Sequence, residues 1–102
     1  MFIGIDPGNT GAIAFVENKE FTNVVDMPLV TVRNRTELDL VLLKQILVDN
    51  LKEGSHVVLE KVGVMPKQGV ASSGAFMRAF GMIEGLIVGL GLPYTLVIPR
   101  TW

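Results

Sequence analysis

Two short apolar runs, each followed by a carboxylate, constrain the fold of this chain more than any other feature. The first run is Phe2–Ile5, which Asp6 follows, and the second is Val57–Leu59, which Glu60 follows. Apolar runs of this length bounded by turn residues predict buried β-strands. If the two strands are neighbours and parallel, both carboxylates lie at one end of a sheet, where ligands collect in open α/β structures.

The rest of the pattern predicts one layered α/β domain in the order strand, strand, strand, helix, strand, helix, strand. Asn18-Lys19 indicates a hairpin turn, and Met27–Arg35 is interpreted as a loop. The other predicted strands are Ala12–Val16, Phe21–Val25 and Tyr94–Ile98. The first predicted helix is capped at Thr36 and runs to about Leu51, where Glu53-Gly54 closes it. A loop at Lys61–Ala71 precedes the second predicted helix. This helix is capped by Ser72 or Ser73 and runs to about Leu90, where Gly91-Leu92-Pro93 ends it.

The residue composition excludes several kinds of chemical site. The absence of cysteine excludes disulfides, zinc thiolates and thiol nucleophiles, and a single histidine, His56, cannot form a histidine cluster. Acidic residues dominate up to Leu59 and basic residues dominate from Lys61 onward. This asymmetry permits a polyanionic partner on one face, although on charge alone a solvated surface is the preferred interpretation.

No targeting or membrane segment is recognised. The N-terminus lacks the basic region of a signal peptide, and the apolar stretch Gly81–Leu92 is too short to span a bilayer and contains Glu84. The expectation is a soluble, cytoplasmic protein.

Two neighbouring carboxylates repel each other, and a bound Mg²⁺ removes that penalty because it prefers hard oxygen ligands and accepts substrate phosphates beside them. Taken singly, Asp6 before Pro7-Gly8 is more typical of a turn, and Glu60 of a structural partner. Together, at the ends of two apolar strands, they indicate a metal site.

The turn Asp6–Gly11 (Asp-Pro-Gly-Asn-Thr-Gly) has two functional interpretations. In the first interpretation, Asp6 is a metal ligand. In the second, the turn holds a nucleotide phosphate, as the Asp-x-Gly-x-Thr hairpin of actin-like ATPases does. A plain hairpin with permissive glycines is the structural alternative. An ATPase of that class needs two such domains, whereas 102 residues make one.

The segment Glu60–Ser72 (Glu-Lys-Val-Gly-Val-Met-Pro-Lys-Gln-Gly-Val-Ala-Ser) resembles the RuvC-type Holliday junction resolvases, particularly the short bacterial and phage forms. Ile3–Gly8, Phe80-Gly81 and Ile98–Trp102 support the resemblance, which covers essentially the whole chain in the right order.

The resemblance implies an RNase H-like fold, a homodimer in a bacterial or phage-infected cell, and Mg²⁺- or Mn²⁺-dependent cleavage of four-way DNA junctions. Asp6 and Glu60 match the family's first two catalytic, metal-binding carboxylates. The family carries two further acidic positions, one of which can be histidine, in a helix after the last strand. The sequence stops at Trp102, where that helix would begin, so the chain alone is expected to be a truncated domain that cuts weakly or not at all.

A second set of residues is expected to contact DNA: Lys61, Met65, Lys67, Gln68, Phe76 and Arg78. Solvated lysines and core packing are the alternatives, and core packing is preferred for Phe80. Gly81, Gly85 and Gly89 line one helix face at a cost of roughly 1 kcal/mol each, so another element should approach closely. The sheet of the same subunit is slightly preferred to a second subunit.

Two other functions stay open. One is a non-catalytic junction- or DNA-binding module, which would bind junctions without cutting them. The other is the actin-like nucleotide-phosphate binder, which calorimetry with ATP and Mg²⁺ would detect.

Overall fold

The structure is a computed structural model that describes residues 1–8, 10–61 and 70–98, with the backbone alone at 70–73. It contains a five-stranded sheet, a separate two-stranded hairpin and two helices. In chain order the elements are β1 (Phe2–Ile5), β2 (Ala12–Glu17), β3 (Glu20–Asp26), β4 (Leu29–Val32), β5 (Arg35–Leu38), α1 (Leu40–Asn50), β6 (His56–Glu60), α2 (Val70–Gly89) and β7 (Tyr94–Val97).

The main sheet has the strand order β3-β2-β1-β6-β7. The first three strands are antiparallel, and β6 and β7 run parallel to β1. A parallel neighbour needs a crossover, and α1 and α2 lie in the connections that lead to β6 and β7. The mixed α/β class and the parallel pairing of β1 with β6 are therefore confirmed.

The predicted turn at Asn18-Lys19 is confirmed. Both residues have positive φ, 54° and 67°, as the two central residues of a type I′ hairpin turn require. These two residues are the whole connection between β2 and β3, which pair as an antiparallel hairpin. The pairing register shifts once, between Phe15 and Val16.

The predicted loop at Met27–Arg35 is wrong over most of its length. Leu29–Val32 and Arg35–Leu38 pair as an antiparallel hairpin around Arg33 and Asn34, whose φ values are 51° and 63°. This is a second type I′ turn, but its first central residue is arginine, whereas the Asn18-Lys19 turn has the favoured asparagine there, so the sequence gives a weaker turn signal. We call the hairpin Leu29–Leu38 the β4–β5 ribbon.

The predicted cap of α1 is also wrong. Thr36 lies inside β5, and the helix begins at Leu40 with Asp39 as its N-cap. The Asp39 carboxylate accepts a hydrogen bond of 3.0 Å from the Leu42 N–H, which satisfies a free donor of the first turn. At the other end, α1 stops at Asn50, and Gly54 (φ 78°) belongs to the following turn and does not cap the helix.

The start of α2 differs from the prediction, and its end agrees. The helix already includes Val70, so Ser72 and Ser73 lie within it and do not cap it. At the end, Gly91 takes a φ of 71° and the Leu92 N–H donates to the Ile87 carbonyl at 3.1 Å. A glycine of positive φ just past the helix, with this hydrogen bond, is a Schellman termination.

The core lies between one face of the sheet and the two helices. Alternate residues of the central strands are almost fully buried: Ile3, Ile5, Ile13, Phe15, Val57 and Leu59. They pack with the buried helix residues Leu43 and Leu47 of α1 and Ile83 and Ile87 of α2. Phe80 packs against the edge of this cluster, as expected. Phe2 and Val24, on the opposite face of the sheet, are more than half exposed, so no described helix covers that face.

No helix in the described part of the chain is long and apolar enough to cross a membrane.

Candidate metal and nucleic-acid site

Asp6 and Glu60 are neighbours at one edge of the main sheet. Ile5 pairs with Leu59 in the parallel register of β1 and β6, so the next residue of each strand is a carboxylate. Adjacent strands lie about 4.8 Å apart. The two carboxylates therefore lie at the same edge of the sheet, and whether they bind one ion together stays a prediction.

The electrostatics of Glu60 agree with this placement. Partial burial raises the pKa of the Glu60 carboxyl above its usual value, and the negative charge of Asp6 raises it further. Both effects disfavour the ionised form of Glu60. A divalent cation between the two groups would reverse the second effect and favour both ionised carboxylates.

The turn after Asp6 holds this carboxylate in place. Asp6 donates its backbone N–H to the Ala12 carbonyl at 3.0 Å, and its Oδ1 accepts from the Gly8 N–H at 3.2 Å. The Gly11 N–H closes the turn on the Gly8 carbonyl at 2.8 Å. A Cβ at Gly11 would overlap the Asp6 carbonyl group and lie 2.8 Å from the Gly8 oxygen, so the turn requires glycine there.

The donor set fits Mg²⁺ or Mn²⁺ but does not complete its coordination. Within residues 1–8, 10–61 and 70–98, no cluster of three or more acidic or histidine side chains is arranged to hold a metal ion. Asp26 pairs with Ala12 at the same sheet edge but lies two strands from β1, roughly 10 Å away, too far for a shared ion. Mg²⁺ commonly uses one or two carboxylates with water and phosphate oxygens, and Asp6 with Glu60 matches that pattern.

The structure describes three of the six residues expected to contact DNA. Lys61 is exposed directly after Glu60, and its N–H donates to the Val97 carbonyl at 2.8 Å, which fixes the chain at the site edge. Phe76 on α2 is half-buried beside the Asp6 turn, where a Cβ at Gly8 would lie 4.0 Å from its ring. Arg78 is exposed on α2. The other three, Met65, Lys67 and Gln68, lie outside the described residues.

The glycine face of α2 differs from the preferred expectation. Gly81, Gly85 and Gly89 are exposed, and a Cβ at any of them would meet nothing within 4 Å in the described structure. The sheet of the same subunit therefore does not pack on this face. The helix keeps three low-propensity residues with no described contact to offset their cost.

Sequence reasoning missed the β4–β5 ribbon as part of this region. Met27, at its base, donates its N–H to the Gly11 carbonyl at 3.0 Å, which joins the ribbon to the Asp6 turn. The β-branched residues Val30, Thr31, Val32 and Thr36 were the available signal, since they favour strand over loop.

No protein-family model and no curated protein matches the chain.

Proposed function

We propose that this chain is the nuclease domain of a RuvC-type junction resolvase, which hydrolyses phosphodiester bonds in four-way DNA junctions with Mg²⁺ or Mn²⁺. The observation that carries the proposal is the pair Asp6 and Glu60, side by side at the ends of parallel strands β1 and β6. The raised pKa of Glu60 supports it: burial and then the charge of Asp6 disfavour the ionised form of Glu60, and a bound cation would favour that form.

The sheet supports the RNase H-like part of the proposal. Three antiparallel strands followed by two parallel strands, reached through helices on one face, form the mixed sheet that the resemblance implies. Fold alone does not specify chemistry, so the proposal depends on the carboxylates and on the resemblance of the segment that begins at Glu60.

In this proposal Asp6 and Glu60 hold the ion, and hydrogen bonding within the Asp6 turn orients the first of them. A bound Mg²⁺ or Mn²⁺ would polarise the scissile phosphate and lower the pKa of the attacking water. Lys61 and Arg78 supply positive charge for phosphates, and Phe76, over the turn, offers a ring for an unstacked base.

We also propose a homodimer. A four-way junction presents two equivalent strands, so symmetric cutting requires two active sites related by a twofold axis. The exposed glycine face of α2 supports this part of the proposal, because a close-packed second helix would offset the helix-propensity cost of Gly81, Gly85 and Gly89.

The test compares a labelled four-way junction with linear duplex of the same sequence. We expect junction binding in EDTA and weak nicking in Mn²⁺ that Asp6→Asn and Glu60→Gln abolish without loss of binding. Asp26→Asn, an acid at the same sheet edge, is the matched control and should leave nicking unchanged. Normal nicking by Asp6→Asn would overturn the mechanism, and equal affinity for junction and duplex would overturn the substrate.

Among the described residues, no third acidic or histidine side chain joins Asp6 and Glu60 in a group that could hold a metal ion. This favours one alternative function, a junction-binding module without catalysis. Tight junction binding with no nicking in either Mg²⁺ or Mn²⁺ would support that alternative.

A further inference from the structure

The β4–β5 ribbon projects as a separate two-stranded hairpin. Its residues from Leu29 to Glu37 are all exposed, and it pairs with no strand of the main sheet. Strands of four residues extend about 13 Å, so the ribbon is a short arm. An isolated two-stranded hairpin is marginally stable, so a folded arm with both faces in solvent needs anchoring at its base.

That anchoring comes from backbone hydrogen bonds at the base, one of which reaches the Asp6 turn. The Asp39 N–H donates to the Pro28 carbonyl at 2.9 Å across the base, and Asp39 also caps α1. On the other strand, Met27 is buried and bonded to Gly11, the residue that closes the Asp6 turn. The Met27–Gly11 hydrogen bond therefore joins the base of the arm to the turn that carries Asp6.

The tip of the arm is basic. Arg33 forms the turn, and Arg35 begins the returning strand. Among the described residues the only ion pair joins Lys52 and Glu17, so neither arginine has a carboxylate within 4.0 Å. Both guanidinium groups are exposed and available to an external anion.

Arg33 also has an unusual backbone conformation, which Lys19 shares. Its φ of 51° lies in the left-handed region, which favours glycine or asparagine and disfavours arginine. The turn thus carries a cation at a position where local conformational preference would select another residue.

We propose that the β4–β5 ribbon contacts a duplex arm of the DNA substrate, with Arg33 and Arg35 bound to backbone phosphates. This inference rests on the proposed function. A two-stranded ribbon fits a major groove, which is about 12 Å wide. Guanidinium groups bind phosphate oxygens in a bidentate manner. Contact at the tip would set the position of the duplex relative to Asp6 and Glu60 through the hydrogen-bonded base.

The experiment measures binding of a fluorescein-labelled four-way junction by anisotropy in EDTA across a series of salt concentrations. The variants are Arg33→Asn, which removes charge while improving the turn, and Arg35→Gln. We expect each to lower the slope of log K against log salt by about 0.9, which weakens binding about eightfold at 0.1 M salt.

Lys19→Asn is the matched control. Lys19 also lies at positive φ in a type I′ turn, but at the opposite end of the sheet, so its replacement should leave the slope unchanged. If both arginine variants bind with the parent slope while the parent binds the junction, the ribbon proposal is wrong and the proposed function stands. If the parent binds no DNA, both proposals are wrong.

Discussion

Glu60 is the residue whose properties depend most directly on its neighbour. Its pKa is raised by burial and then by Asp6, so protonation of Glu60 favours the folded state. The corresponding stability is fully present below the ordinary carboxyl pKa of 4.5 and is lost as the pH rises through the raised folded value. At neutral pH the folded protein therefore carries an electrostatic cost at this site.

This cost makes the first prediction. Glu60→Gln removes the charge and should increase the free energy of unfolding at neutral pH, with little change near pH 4.5, measured by urea denaturation at each pH. Glu53→Gln, an exposed residue away from the site, is the control. Addition of Mg²⁺ should stabilise the parent more than Glu60→Gln. Equal destabilisation of the variant at both pH values would refute the electrostatic account.

Gly11 is the residue on which the Asp6 turn depends sterically. Gly11→Ala places a Cβ against the Asp6 carbonyl group and should lower the free energy of unfolding by about 2–3 kcal/mol. Thermal denaturation measures the loss. A Gly11→Ala protein as stable as the parent would mean that the turn does not close on Asp6.

At the scale of helices and strands, the elements that could be predicted are those with a strong residue pattern within a short stretch of sequence. The two strand ends at Asp6 and Glu60 follow from apolar runs, and the end of α2 follows from Gly91. The β4–β5 ribbon was missed because its turn has Arg33, and not the favoured asparagine of the Asn18-Lys19 turn, at the first central position. The cap of α1 was misplaced because Thr36 and Asp39 are both good capping residues, and only the hairpin register assigns Thr36 to a strand.

The predicted cap, Thr36, and the observed cap, Asp39, can be distinguished by substitution. Asp39→Ala should lower the free energy of unfolding by about 1 kcal/mol, since it leaves the Leu42 N–H without its side-chain acceptor. Thr36→Ala, at an exposed strand position, should cost less than about 0.5 kcal/mol. Chemical denaturation compares them, and a larger loss for Thr36→Ala would contradict the observed start of α1.

The glycine face of α2 gives a prediction of opposite sign. Gly85→Ala has open space for its methyl group and should stabilise the isolated subunit by up to about 1 kcal/mol. If the α2 helix of a second subunit packs on the glycine face, the same substitution should weaken self-association. Sedimentation across a concentration series measures that self-association. Destabilisation at concentrations where the protein is monomeric would show that the same chain already covers this face.

At the scale of the whole molecule, the class of the fold and the edge of the sheet that carries the carboxylates could be predicted from sequence. Strand ends specify a shared edge once β1 and β6 are parallel neighbours. The connection between the ribbon and the Asp6 turn could not be predicted, because it depends on a hydrogen bond between Met27 and Gly11, sixteen residues apart. Periodicity within short windows contains no information about such pairings.

The central claim is that Asp6 and Glu60 bind one divalent cation together. The most direct measurement is Mn²⁺ titration of the ¹⁵N-labelled chain followed by amide line broadening, which detects even weak binding. We predict broadening centred on Asp6, Gly8 and Lys61, lost in Asp6→Asn and in Glu60→Gln and retained in Asp26→Asn. Broadening that is absent from this edge, or unchanged when either carboxylate is removed, would contradict the account.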